Sequence, residues 1–509
     1  MKRICTLILA AGLVFGAATG ASAIDFKAKG QWLVGFSAGN ESLVSKTRLG
    51  NNGKVKADTS DTFAAQQRVR LQLDAVASEA LSGTVYFEIG DQKWGQSSSG
   101  AALGADGQVV EVKNAYIDWA IPQTDAKIRM GIQGLALPNT VAGGSAILDT
   151  DVAAVVGTYK FNDNVSMTAF WARPFNDNFN GTDARYNGNP QNYLDNMDLF
   201  GLMAPLTFDG VSTTPWVMYG MQGRNTLTGY TRNNWRVTDG NPPLTLRPYP
   251  LAVQGNDLAT TGTSKAYGSM FWAGLPIAVT AFDPLNIELD INYGFVEAMG
   301  RYDVVKGQNG PTVRGDTQRQ GWLAKALVEY KMDWATPGLF GWYASGDDNS
   351  VKNGSERMPS LVPTGNMTSY MGDGNLGWLR QDYGVDYSGT WGIGAQLKDM
   401  SFLQDLKHTF RVAYWGGTNS TGMVKFMPNA YAFNTGLSSN IAPYLTTNDG
   451  LVEFNLVNTY QIYQNLQMNV ELDYMVNCMD NSTWKKANTA SSFQKQDMYQ
   501  AKVVFAYSF

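Results

Sequence analysis

The sequence predicts an all-β chain, a transmembrane antiparallel up-and-down β-barrel of 18 strands, with 16 as the alternative count. Three observations predict it. Apolar and polar residues alternate with period two in one segment after another. The connections between those segments alternate short and long from end to end. No stretch after residue 24 is continuously apolar over the length that a spanning helix requires.

The alternation is plainest in five segments. FKAKGQWLVGF (26–36) sets Ala28, Gly30, Trp32, Val34 and Phe36 against Lys27, Lys29 and Gln31. QRVRLQLDAV (67–76) sets Val69, Leu71, Leu73 and Ala75 against Arg68, Arg70, Gln72 and Asp74. LNIELDINYGF (285–295) opposes Leu285, Ile287, Leu289, Ile291 and Tyr293 to Asn286, Glu288, Asp290 and Asn292. LQMNVELDYMV (466–476) opposes Leu466, Met468, Val470, Leu472 and Tyr474 to Gln467, Asn469, Glu471 and Asp473. AKVVFAYSF (501–509) carries Val503, Phe505, Tyr507 and Phe509 on one face and Lys502, Val504, Ala506 and Ser508 on the other. A soluble sheet with one wet face reads the same way segment by segment, so the connections decide.

Short connections fall near 77–81, 122–125, 161–164, 209–212, 282–284, 333–337, 401–405 and 463–465. Long ones, rich in Gly, Asn, Asp, Ser and Pro, fall near 38–62, 91–108, 134–151, 173–197, 223–264, 299–318, 347–389, 418–447 and 478–495. A membrane barrel imposes this rhythm, with short turns on the periplasmic side and long loops outside. An even strand number also lets the last strand pair with the first, leaving no open edge in lipid. The stretch 501–509 is then the closing strand, with Tyr507 and Phe509 in the periplasmic aromatic girdle. Trp32, Trp119 and Trp322 read as outward girdle or subunit-contact residues.

Lys2 and Arg3, the apolar run 7–15 and the small residues Ala21 and Ala23 predict an export signal over 1–23, leaving 24–509 as one barrel domain. Cys5 falls within that signal, so Cys478 stands alone and no intramolecular disulfide is expected. Removing Lys2 and Arg3 from 39 basic residues leaves 37 against 44 acidic ones, a net −7, which argues against a nucleic-acid partner. Enzyme chemistry finds little footing. His408 is the only histidine, which removes histidine zinc sites and weakens any serine–histidine hydrolase, and no G-x-S-x-G occurs. GDGNLG (372–377) fits a dinucleotide-loop pattern but lies in a Gly-Asp-Asn loop, and SGDDNSVKNGSE (345–356) resembles a calcium loop in composition without its spacing. The expectation is a non-enzyme without cofactor.

The polar faces carry the candidate chemistry. Lys27, Lys29, Arg68, Arg70, Lys127 and Arg129 come from the first, second and fifth strands and form one basic sector of the lumen wall. Glu288, Asp290, Glu471 and Asp473 come from the eleventh and seventeenth strands and form an acidic one. Opposed sectors across a narrow aqueous gap create a transverse field that orients dipolar solutes. Each charge also has a plainer reading as a solvated side chain that tunes flux without holding the fold. Tyr116 and Trp415 are candidate lumen aromatics, although no continuous aromatic row is seen.

The segments ASAIDFKAKGQW (21–32), KNAYIDWAIPQTDAKIRMGIQGLALP (113–138) and GGSAILDTDVAAVV (143–156), with Phe509, resemble Gram-negative outer-membrane porins, most closely the homotrimeric porins of sulfate-reducing bacteria. The resemblance covers essentially the whole chain after the signal. It implies a water-filled channel for passive diffusion of ions and small hydrophilic solutes, set among outer-membrane lipid and lipopolysaccharide as a homotrimer. It implies periplasmic chaperones and a barrel-assembly machinery as partners in biogenesis, with Phe505, Tyr507 and Phe509 as the terminal insertion signal. It further implies that the third long loop, 134–151, folds into the pore as a constriction, bringing Pro138, Gly143, Gly144, Asp149 and Asp151; the two acids could instead cap turns. The Pro-Glu-Phe-Gly-Gly stretch of general porins is absent. Two alternatives stay open: a substrate-specific channel for a sugar or organic anion, and an exported all-β carbohydrate-binding protein.

Overall fold

A computed structural model describes residues 24–40, 43–45, 61–104, 110–176, 196–223, 253–254, 265–307, 309–372, 379, 385–427, 443–485 and 494–509. The export signal expected over 1–23 lies outside the described residues, as do residues 373–377 of the GDGNLG stretch.

Among the described residues, 18 staves form one closed antiparallel sheet. The first six are β1 (Asp25–Asn40), β2 (Asp61–Ser78), β3 (Leu81–Lys93), β4 (Val110–Ala120), β5 (Ala126–Ala136) and β6 (Asp149–Lys160). β7 (Ser166–Asn176) leads to two interrupted staves, β8 (Asn196–Met203, then Leu206–Phe208) and β9 (Val211–Thr213, then Trp216–Gly223). Both interruptions hold a proline, Pro205 and Pro215, which cannot donate to a ladder. β10 (Tyr267–Phe282), β11 (Leu285–Val296), β12 (Arg319–Tyr330) and β13 (Thr336–Ala344) follow. β14 (Thr390–Leu403), β15 (Leu406–Gly417), β16 (Gly450–Tyr463), β17 (Leu466–Asn477) and β18 (Met498–Ser508) complete the wall.

Closure is made by β1 against β18, from Gln31 opposite Ser508 to Gly39 opposite Gln500. Even Phe509 is tied: its amide donates to Gly30 O at 3.1 Å and its carbonyl accepts from Gly30 N at 2.8 Å. Among the described residues the first and last staves thus close the ring, which is what a hydrocarbon surrounding demands. The expected short turns all join neighbouring staves on one side. Five of them have only two residues between strands; in one, Asp209–Gly210, Gly210 sits at φ 69° and a Cβ would fall 2.6 Å from Ala281.

The outward face is apolar with aromatic margins. Toward the long loops, Trp171, Phe200, Tyr219 and Phe271 are successive cross-strand partners on β7–β10. The row resumes as Tyr293–Trp322, Tyr343–Trp391 and Phe454–Tyr474–Tyr499. Toward the short turns, Tyr330, Trp334, Phe402, Tyr463, Tyr507 and Phe509 are exposed. Trp32, Trp119 and Trp322 are exposed too. Two such margins around an aliphatic band fit the two interfaces of a bilayer.

The core lies inside the ring. Wall residues Phe170, Trp216, Met218, Trp272, Trp342 and Trp415 are buried in one cluster with loop residues Leu137, Val141, Ile147, Leu148, Met358, Leu361 and Tyr370. The lumen of this barrel is partly a packed protein interior.

Candidate functional site: the channel interior

The third long loop crosses the lumen. Its strands set the start: β5 pairs with β4 only as far as Ile132, but continues with β6 to Ala136 opposite Asp149. The last rungs of this hairpin therefore have a single neighbour, and Lys113 and Asn114 of β4 reach across to the Asp151 carboxylate, Asn114 at 2.8 Å. Asp149 and Asp151 thus begin a strand. The expectation that they belong to the loop is corrected, because the β5–β6 ladder persists past the point where Gly and Pro suggest a loop. The loop proper is 137–148. Its tip meets the far wall, where Thr140 Oγ1 donates to Leu289 O at 2.9 Å and Asn139 accepts from Lys325.

A second inward loop was not foreseen. Residues 345–389, between β13 and β14, carry Arg357–Met371 into the buried interior and bring Leu379 against Leu33 and Val504 on β1 and β18. The two loops meet at one parallel bridge, Leu148 opposite Val362, where Leu361 N donates to Ile147 O at 2.8 Å and Asp149 N to Val362 O at 2.8 Å, and Thr364 N adds a bond to Ser145 O at 2.7 Å. Gly144 permits this approach; it has φ 67°, and a Cβ would lie 2.6 Å from Thr364 O. Wall groups hold the second loop by its backbone. Arg319 Nε donates to Arg357 O at 3.0 Å and Trp272 Nε1 to Pro359 O at 2.9 Å. The buried Glu453 carboxylate accepts four bonds, from Thr368 Oγ1, Tyr370 N, Asn455 Nδ2 and Trp415 Nε1, between 2.8 and 3.0 Å.

The alternation places Lys27, Lys29, Arg68, Arg70, Lys127 and Arg129 together on the inner face of β1, β2 and β5, but acids stand among them. Arg70 lies opposite Glu88 in register and binds it at 2.6 Å. Arg68 grips Asp91 through two bonds of 2.7 Å and lies 3.7 Å from Glu88. Arg129 lies opposite Asp118, binds it through two bonds of 2.7 and 2.8 Å, and stacks on the Tyr116 ring at 4.1 Å. Lys27 lies opposite Asp74 and 3.7 Å from Asp25. Lys29 and Lys127 have no ion pair among the described residues. The sector is a lattice of both signs, held by cross-strand pairing.

The acidic residues have another setting. Asp290 lies opposite Lys325 and 3.1 Å from it, each side chain 1% exposed. Glu471 lies opposite Lys502, whose ammonium is 3.9 Å from Asp473, and all three are buried. Glu288 is half-buried and accepts from Asn286 at 2.9 Å. The expectation that such charges only tune flux is corrected for Asp290, Glu471 and Asp473. Buried in this way, they belong to the packed interior, where removing one partner strands the other.

Glu88, Asp91, Asp118, Lys113, Lys325 and Glu453 were missed by the sequence reading. Their alternation marks the inner face, but nothing local reveals their partners. Trp415 is buried on Glu453, and its ring lies edge-on to Trp342 with centroids 5.4 Å apart, so these aromatics are core. His408 pairs with Asn458 at 2.6 Å near the short-turn rim. In the 345–356 stretch, burial and the neighbouring Asp347 and Asp348 push the Glu356 carboxyl up to about 7. Among the described residues no cluster of His, Cys, Asp or Glu is arranged to hold a metal.

No protein-family model and no curated protein matches the chain. Among solved structures it is similar to Pseudomonas aeruginosa OccK11 (OpdR), at 11% identity and TM-score 0.46 over 95% of this chain and 96% of that one. It is similar to P. aeruginosa OccK2 (OpdF) in complex with glucuronate, at 11% identity and TM-score 0.49 over 95% and 98%. P. aeruginosa OccK5 (OpdH) stands at 12% identity and TM-score 0.45 over 95% and 98%. The likeness is one of fold alone.

Proposed function

We propose that the chain is an outer-membrane porin, a water-filled channel of a Gram-negative bacterium through which ions and small hydrophilic solutes diffuse passively, without catalysis. One observation carries the reading. A closed ring with an apolar, aromatic-margined exterior has part-exposed charges on the inner face of β1–β5. A soluble carbohydrate-binding protein would have no use for that exterior. The loops 137–148 and 345–389 form the constriction. Arg68, Arg70, Lys127, Arg129, Lys27 and Lys29, with Glu88, Asp91 and Asp118, line the wet side and bias the passage of ions. A homotrimer akin to the porins of sulfate-reducing bacteria, seated in lipid and lipopolysaccharide, is the assembly the resemblance supports. The terminal Phe505, Tyr507 and Phe509 serve the insertion machinery.

Purified protein in a planar bilayer is expected to give stepwise, voltage-tolerant conductance. Native β content with no conductance would overturn the proposal. A substrate-specific channel is the second reading, favoured by the two loops that fill one side of the lumen. Swelling of loaded liposomes separates the two: a rate set by solute size alone supports diffusion, and one favoured solute supports recognition.

A further inference from the structure

We propose that Lys325 is the positioning residue that sets the width of the passage, tying both inward loops to one wall through a single buried ammonium. The inference rests on the channel reading and adds to it the element that holds the aperture. Lys325 stands on the inner face of β12 with its side chain 1% exposed. An ammonium has three protons to place and no acceptor of its own. Here it faces the Asp290 carboxylate of β11 at 3.1 Å, donates to the Asn139 side-chain carbonyl, and lies 3.5 Å from Val141 O. Two of its three partners are therefore third-loop groups. The Tyr387 ring of the 345–389 loop, the seventh long loop, also lies against it, with the nitrogen 5.3 Å from the ring centroid. Thr140, between the two third-loop acceptors, adds its own bond to Leu289 O. Asn292 Nδ2 holds the other Asp290 oxygen at 3.2 Å, so the carboxylate is fixed toward the lysine.

A charge this deeply buried is stable only while its partners stay, so the wall and both loops are coupled through it. The paired variant K325M with D290N removes both charges and leaves neither stranded, which protects folding. It should raise single-channel conductance and admit larger saccharides in liposome swelling. Amide hydrogen exchange over 137–148 should speed up on the order of tenfold to a hundredfold, with the staves unchanged. Adding N139A to the pair should change nothing further, because the contact is already lost. D290N alone keeps both loop acceptors but strands the Lys325 charge, so it should cost more stability than the pair while changing the aperture less.

Unchanged conductance, swelling and loop exchange in the paired variant would overturn the proposal, as would a drop in thermal stability with the aperture intact. If the unaltered protein fails to conduct, the channel reading falls. Exchange over 137–148 still decides whether Lys325 holds the loop.

Discussion

The two sides of the lumen use the same residue types for opposite ends. On β2–β5, Arg68 with Asp91 and Arg129 with Asp118 are 13% to 44% exposed at the side chain. Across β11, β12, β17 and β18, Asp290 with Lys325 and Asp473 with Lys502 are at most 1% exposed. Both sets come from cross-strand neighbours on inner faces. What differs is the covering: the third and seventh loops lie over the second side and leave the first wet. The lesson is that a lumen-facing charge has no fixed role in a barrel. Water access makes it a filter element worth little to stability, and a loop laid over it makes it an anchor.

Removing one carboxylate from each side should break or confirm the contrast most sharply. E453A leaves four buried donors without their acceptor and is expected to cost about 3 kcal/mol or more in urea unfolding from phospholipid vesicles. E88Q on the open side should cost less than about 1 kcal/mol in the same assay. Equal costs would show that the two sides are not distinct.

The next effect is on selectivity. The double change R68A with R70A leaves Glu88 and Asp91 without their cations, and the reversal potential in a salt gradient should shift toward cations. E88Q with D91N should shift it the other way. A reversal potential that does not move removes these residues from the filter.

A smaller effect concerns the outer part of the seventh loop. The Glu356 carboxyl titrates near 7 in the folded loop, above its ordinary value of 4.5, because burial and two neighbouring aspartates disfavour its charge. The folded arrangement binds the proton more tightly than the open one. Its advantage is complete below about pH 4.5 and is lost as the pH rises toward 7, so the loop should be tighter at pH 5 than at pH 8. Hydrogen-exchange protection over 345–356, taken relative to the intrinsic exchange rate at each pH, measures this, and E356Q should flatten the difference in protection.

Much of the wall was legible in the sequence. Lys27, Arg70, Asp290 and Glu471 were placed on inner faces by alternation alone, and the short turns marked one rim. The partners were not legible. Arg70 meets Glu88 because of the register across a turn, and Glu471 meets Lys502 across a loop of twenty residues. Asp149 and Asp151 were misassigned because a ladder outlasting its outer neighbour looks like loop in sequence. The loop near 347–389 was legible as a loop but not its inward course, since its Gly, Asp, Asn and Ser read like any outward loop.

By itself the sequence determined the period of each strand, the rhythm of turns and loops, and therefore a ring with a greasy outside and a polar inside. Those follow from local geometry, since successive side chains of a strand point to opposite faces. Only the tertiary structure decided which polar residues meet water. That depends on where two loops cross the lumen, and their anchors, Lys325 for one and Glu453 for the other, lie 186 and 85 residues from the groups they hold.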